Sequence, residues 1–321
     1  MDDSIRIERV AVTGSGYMGG GIAQMFALRG HRVTLADVDG ATARRAYDRL
    51  TTQAAEFERA GLMPVGAGEM IAANLTAAES IESAVAEADY VTEAVPEDPE
   101  IKKATLTRIS SALPDASIVG TNTSAIPIAR LSAWVSAPER FLGVHWMNPA
   151  PFIPGVELIP GPRTSPETID HAERLIGSLG KVTARVTDSP GFVANRLQFA
   201  LFKEASRIVE EGIATPAEID AIVSSTFGFR LALFGPFAIG DMAGLDVYAS
   251  SYRTLEDAFG ERFACPKAVR EAVEDNNLGV KAGGGLRGVD QSQVHALLGY
   301  RDAAYVRLSA LRSELGAAPG L

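Results

Sequence analysis

A glycine-spaced turn near the start of the chain constrains its fold more than any other feature. Gly14-Ser15-Gly16-Tyr17-Met18-Gly19 follows the β-rich run Ile7–Val12 and opens into the helix-compatible stretch Ile22–Arg29. The next apolar run, Val33–Ala36, ends at Asp37, 18 residues beyond Gly19. In a chain with 31 glycines the spacing alone marks no more than a flexible turn. Its place between a strand and a helix gives it a purpose. Small residues let the backbone approach a pyrophosphate, and the helix N-terminus offers it free N–H groups. Gly14, Gly16, Met18 and Gly19 are therefore the expected contacts of a dinucleotide. Asp37 can accept both ribose hydroxyls and would repel an added phosphate, and Val38 supplies no compensating cation. NAD is the expected cofactor, in preference to NADP.

The length, 321 residues, suggests two domains. Further strand candidates are Tyr90–Val95, Ser117–Gly120, Phe141–Trp146, Val156–Ile159 and Val182–Val186. Helical patterns fall between them at Thr42–Ala60, Asp98–Leu113 and Pro166–Leu179. Alternation of this kind predicts an α/β domain of Rossmann type, a doubly wound and mostly parallel sheet, over residues 1–187. From residue 188 only helical patterns remain, so an all-helical C-terminal domain is expected over 188–321. Its first helix is read from Ser189-Pro190 to about Glu211-Gly212. Thr215-Pro216-Ala217-Glu218 is a capping box, and later helices are read at Pro236–Phe259, Pro266–Asn276 and Asp290–Leu315. Ala282–Gly288 is a glycine-rich loop.

A formal net charge of −10, with both signs interspersed, argues against nucleic acid or an anionic membrane surface as a partner. No apolar stretch approaches the roughly 20 residues of a membrane span. Cys265 is the only cysteine, which excludes an intrachain disulfide or a cysteine-clustered metal site and fits a reducing cytoplasm. The start, Met1-Asp2-Asp3-Ser4, is acidic and unlike a secretory leader. The expectation is a soluble cytoplasmic enzyme.

Of the four histidines, His31 sits in a turn, and His171 and His295 fall in helical segments; surface positions are expected for all three. His145 differs. It closes the apolar run Phe141–Val144 and precedes a proline-rich loop, where an open α/β sheet binds its ligands. Twelve residues on, Glu157 interrupts the apolar run Val156–Ile159, and a carboxylate there needs a partner. Two readings stay open from spacing alone. Either Glu157 fixes the tautomer of a catalytic His145, or a satisfied core histidine and an unrelated glutamate happen to lie close in sequence. Ser124 reads as a helix cap and Asn195 as an exposed amide near the start of the Pro190 helix.

Together these segments resemble the 3-hydroxyacyl-CoA dehydrogenase family over nearly the whole chain. GSGYMGGGIA is similar to its cofactor loop, TNTSAIPI to its serine motif, FLGVHWMNPAPFIPGVELIPG to its histidine–glutamate signature, and DSPGFVANRLQFALFKEA to the start of its helical domain. The resemblance implies oxidation of a 3-hydroxyl on a small acyl substrate, as in fatty acid metabolism. His145 would be the general base and Glu157 its orienting partner. Ser124 and Asn195 would bond the substrate's reacting oxygen. Glu97 and Lys102 match cofactor contacts, and Asn148 and Lys281 match positions on the nicotinamide side. The family also implies a homodimer through the helical domain.

Departures from the family's pattern bear on the substrate. The helix after the second strand, basic in typical members, reads Gln53-Ala54-Ala55-Glu56-Phe57-Glu58-Arg59-Ala60 here and would serve a coenzyme A phosphate poorly. The usual proline-methionine before Gly-Pro is replaced within Phe229-Arg230-Leu231-Ala232-Leu233-Phe234-Gly235-Pro236, and Leu286-Arg287 stands where an aromatic pair is usual. These features look more like the L-gulonate 3-dehydrogenase and carnitine dehydrogenase branch, which acts on free hydroxy acids. Arg230 is then either a bidentate clamp on a substrate carboxylate or a surface arginine. An acyl-carrier-protein thioester is a third substrate option. A nicotinamide-binding structural protein of the crystallin kind is the alternative outside the enzymes, although such a role would not need His145, Glu157, Ser124 and Asn195 together.

Overall fold

Strand β1 (Arg9–Thr13) sends Val10 and Val12 to one face of a sheet and Ala11 to the other, the period of two expected of a strand covered on both sides. The computed structural model describes residues 7–320, so the acidic Met1–Ser4 start lies outside the described residues. The remaining strands are β2 (Arg32–Ala36), β3 (Leu75–Ala77), β4 (Tyr90–Glu93), β5 (Ile118–Thr121), β6 (Phe141–Trp146), β7 (Gly155–Pro160) and β8 (Val182–Arg185). They form one sheet in the order β3-β2-β1-β4-β5-β6-β7-β8. Every neighbouring pair is parallel except β6 and β7. The strand order turns back between β1 and β4, which makes the crevice beyond their carboxyl ends the ligand-binding position of such a sheet.

Seven helices are woven through this sheet among the described residues: α1 (Tyr17–Leu28), α2 (Gly40–Arg59), α3 (Ala67–Asn74), α4 (Ile81–Val85), α5 (Pro99–Ala112), α6 (Ile128–Leu131) and α7 (Pro166–Ser178). Asp39 and Asp98 cap α2 and α5, each accepting a backbone N–H of the first turn. β3, α3, α4 and α6 have no counterpart in the sequence reading. Each is eight residues or shorter, too short to show a period.

Two compact units divide the chain, Met1–Ala200 and Leu201–Leu321. The long helix α8 (Ala194–Glu210) crosses that division. It starts four residues later than Pro190 because Gly191 (φ +76°) and Phe192 (φ +49°) lie in the left-handed region and cannot extend a right-handed helix. The second unit continues with α9 (Pro216–Ser225), α10 (Phe227–Leu231), α11 (Pro236–Ala243), α12 (Leu245–Phe259), α13 (Lys267–Glu274) and α14 (Val294–Leu315). The capping box of Thr215 and Glu218 forms as its residues predict. The single helix read over Pro236–Phe259 is two helices, broken at Gly244, whose φ of +105° suits only glycine. No described helix is long and apolar enough to cross a membrane.

Candidate active site

Each glycine of the turn does a separate job. At Gly14 (φ +89°) a Cβ would stand 2.6 Å from the Ala94 carbonyl oxygen, so the turn can pass the end of β4 only without a side chain. At Gly19 a Cβ would lie 1.8 Å from the Gly14 carbonyl oxygen, which is the close contact of helix with turn. A Cβ at Gly16 would meet nothing within 4 Å, because it faces a cavity. That cavity, about 560 Å³, is lined by Gly14, Gly16, Met18, Asp37, Glu97 and Asn122 among others. No side chain caps α1, which leaves its first N–H groups for an anion. Asp37 lies at the end of β2, where Oδ2 accepts the Ser15 N–H (2.7 Å) and Oγ (2.5 Å) and Oδ1 accepts the Val38 N–H (2.8 Å). Arg49 of α2 donates to the Ser15 carbonyl at 2.7 Å, a brace on the loop that sequence spacing did not reveal. An open backbone at Gly16, an uncapped helix and a half-buried carboxylate fit a dinucleotide.

His145 and Glu157 face each other directly across the antiparallel pair β6–β7. Opposite residues of such a pair share a face of the sheet, so the ladder register brings the two side chains together, and the loop between them serves only to reverse the chain. His145 Nδ1 lies 2.8 Å from Glu157 Oε2, and both residues are buried. A carboxylate only accepts, so Nδ1 carries the hydrogen and Nε2 is left as the basic nitrogen. Glu157 Oε1 accepts the backbone N–H groups of Val193 (2.9 Å) and Ala194 (3.0 Å) at the start of α8. Burial pushes the Glu157 carboxyl up, but the hydrogen bonds from His145 and these two amides outweigh it and hold the group below its ordinary range. Phe192, at positive φ and 1% exposed, packs its ring 5.5 Å from that of His145. His31 is half-buried against Phe26, unlike the surface position expected of it.

Ser124 does not cap a helix. It stands in a turn whose Ser124, Ala125 and Ile126 amides all donate to Glu97 Oε1, at 2.9, 2.8 and 3.3 Å. The Thr123 hydroxyl donates to the same oxygen at 2.5 Å. Asn195, in the first turn of α8, donates from Nδ2 to the Ser124 carbonyl at 3.2 Å, so it is half-buried beside the serine turn and not an exposed amide. Lys102 is fully buried and does not line the cavity. Its ammonium lies 2.8 Å from Glu93 Oε1 and 3.4 Å from Glu97 Oε2. Burial raises the Glu97 pKa, but Thr123, Lys102 and the turn amides together bring it below the ordinary carboxylate value. Buried Glu93 anchors the network and also accepts the Thr121 hydroxyl at 2.5 Å.

Residues 9–189 match the model of the 3-hydroxyacyl-CoA dehydrogenase NAD-binding domain, and residues 191–287 match that of the family's C-terminal domain. The chain belongs to the 3-hydroxyacyl-CoA dehydrogenase family. Its members are NAD-dependent dehydrogenases of CH–OH groups, and NAD is the cofactor. The chain is 36% identical to the 5-formyl-3-hydroxy-2-methylpyridine 4-carboxylate 5-dehydrogenase of Mesorhizobium japonicum, over 91% of this chain and 94% of that one. It is 35% identical to the L-carnitine dehydrogenase of Streptomyces griseus, over 84% and 78%. The crystal structure of a 3-hydroxyacyl-CoA dehydrogenase from Archaeoglobus fulgidus superimposes with a TM-score of 0.78 at 30% identity, over 97% of this chain and 99% of that one.

In this 3-hydroxyacyl-CoA dehydrogenase chain, the remaining residues singled out from sequence are Asn148, Lys281 and Arg230. Asn148 is exposed in the loop after β6. In the helical unit, Lys281 pairs with Asp246 at 2.6 Å. Its glycine loop is organised by buried Asp241, which accepts the Leu286 and Arg287 amides, each at 2.8 Å. Arg230 of α10 lines a pocket of about 330 Å³ with Ile239, Met242, Arg301, Asp302 and Tyr305. Arg301 is paired with Asp302, while the Arg230 guanidinium has no carboxylate partner among the described residues. Sequence reasoning missed Phe192, Glu93, Asn122 and Asp241. Only the turn-forming Gly191 beside Phe192 gave any signal, because burial of a single polar or aromatic side chain has no period to detect.

Proposed function

We propose that this chain oxidises the 3-hydroxyl of a small 3-hydroxyacyl substrate to the 3-keto form, with residues 1–187 holding NAD and residues 188–321 forming a helical domain for substrate and dimerisation. The buried 2.8 Å contact of His145 Nδ1 with Glu157 carries this reading. With Nδ1 committed, Nε2 takes the hydroxyl proton as the carbinol C–H bond breaks and the C=O bond forms, and Glu157 stabilises the imidazolium that results. When bound, NAD supplies the acceptor for the hydride. Ser124 and Asn195 hydrogen-bond the reacting oxygen. The turn of Gly14, Gly16, Met18 and Gly19 holds the pyrophosphate and Asp37 the ribose diol. Glu97 lines the cofactor cavity and shapes the Ser124 turn, and Lys102 acts by holding Glu97. The assignment of Asn148 and Lys281 to the nicotinamide rests on their match to the family's motifs. A panel of 3-hydroxyacyl thioesters and free 3-hydroxy acids, followed by NADH formation, tests the reading. Failure of every member would favour an NAD-binding structural role.

A second reading, a free hydroxy acid as substrate, is favoured by the uncompensated Arg230 in its pocket. A relative named for a pyridine carboxylate agrees with it. The α2 segment supports it too, since Glu58 is spent on the amides of Gly66 (2.7 Å) and Gly68 (2.9 Å) and Glu56 is exposed. A charge-assisted hydrogen bond contributes about 1.5–3 kcal/mol, so Arg230→Met should raise KM for an acid roughly 10–150-fold and leave a neutral thioester unchanged. Equal effects on both would assign Arg230 to structure. Leu197 (57% exposed), Phe199 (64%) and Phe202 (69%) on α8 support a homodimer, which light scattering at micromolar concentration checks.

A further inference from the structure

Lys181 is a buried cation that the proposed chemistry leaves without a task. It immediately precedes the edge strand β8, yet its side chain turns inward beneath the loop that follows His145. The ammonium donates to three carbonyls of that loop: Ala150 at 2.6 Å, Ile153 at 2.8 Å and Pro151 at 3.3 Å. It also lies 5.5 Å from the centroid of a Trp146 ring. A lysine has three donors, and all are used here. Among the described residues no carboxylate pairs with it, and burial lowers its pKa. Keeping an unpaired cation 92% buried is costly, and a residue needed only for packing would be apolar.

The loop it grips lies between two parts of the site. On one side it continues β6 directly from His145, and Asn122, which lines the cofactor cavity, accepts the Trp146 N–H at 2.9 Å. On the other side it packs on the cofactor helix. A Cβ at Gly21 of α1 would stand 2.9 Å from Pro151 Cδ and 3.4 Å from Ala150 Cβ. Phe152 closes the far end against Phe57 of α2, ring centroids 5.2 Å apart. Two of the three carbonyls held by Lys181, those of Ala150 and Pro151, thus belong to the residues that touch α1.

We propose that Lys181 is a positioning residue that fixes residues 147–153 and so sets the placement of His145 relative to the NAD-binding helix. The proposal rests on His145 being the base. Lys181→Met keeps the apolar stem and removes all three donors. In this variant NADH sites are counted by fluorescence titration, and turnover per site is read with the better of 3-hydroxybutyryl-CoA and free 3-hydroxybutyrate. Amide hydrogen exchange is followed over residues 146–153. The expected result is one NADH per chain, faster exchange in that segment, and turnover per NADH site reduced about 10²-fold, the cost of roughly 1 Å of misplacement. Lys181→Gln, with two donors, should fall between Met and wild type, and it carries the test if the Met variant does not fold. Turnover per NADH site equal to wild type, or activity lost only in step with NADH sites, would overturn the proposal. If His145→Ala keeps normal turnover, the base assignment fails instead, and the exchange and NADH measurements still read the loop.

Discussion

The α/β unit and the helical unit differ in how much of their apolar surface they cover for themselves. In the first, two hydrophobic clusters fill both faces of the sheet, and all six residues of β6 are buried. In the second, the buried cluster centres on Leu245, Val269 and Ala272, while the 22-residue α14 buries no side chain among the described residues. Phe202 and Val306 stand 69% and 71% exposed. A unit that closes its own core can hold a histidine–glutamate pair away from water, where each contact is strong. A unit that leaves such side chains uncovered gains stability only when a further surface buries them, at about 25 cal/mol per Å² of apolar area.

The sharpest test of this contrast is the chemistry itself. His145→Ala should lower turnover about 10²–10⁴-fold with NAD binding nearly unchanged, measured by NADH formation beside a cofactor titration. Next in size is the core. Leu35→Ala should cost about 2–5 kcal/mol in denaturant melts, whereas Val306→Ala should stay within about 0.5 kcal/mol if nothing covers α14. A larger loss at Val306, dependent on protein concentration, would show that this face is buried in an assembly.

Asp37→Ala should weaken NAD roughly 10–150-fold while relaxing discrimination against NADP, as parallel titrations would show. The Glu157 carboxyl is depressed in the folded state, so the stability it contributes is present above the ordinary carboxylate pKa and is lost as pH falls through its lowered value. Glu157→Gln should flatten the acid limb of the stability profile in thermal melts taken across the carboxylate range. The smallest effect is expected at the helical unit's capping box, where Thr215→Ala should cost about 1 kcal/mol.

Much of this was legible in the residues. The Gly14–Gly19 turn, Asp37 at the end of β2, the alternation of strand and helix, and the capping box at Thr215 are local features, and local geometry follows from local sequence. The motif resemblance likewise groups His145, Glu157, Ser124 and Asn195 from the residues alone. The tertiary structure decided the rest. Spacing left the relation of His145 to Glu157 open, and only the β6–β7 register made them direct neighbours. Lys102 matched a cofactor contact, yet folding buried it between Glu93 and Glu97. Ser124 looked like a cap until Glu97, 27 residues earlier, gathered its turn. Lys181 gave no signal, because its three carbonyl partners lie 28 to 31 residues away. Periodicity and propensity act over a few residues, whereas the partner of a buried polar group is chosen by whichever distant segment the sheet brings within about 3 Å of it.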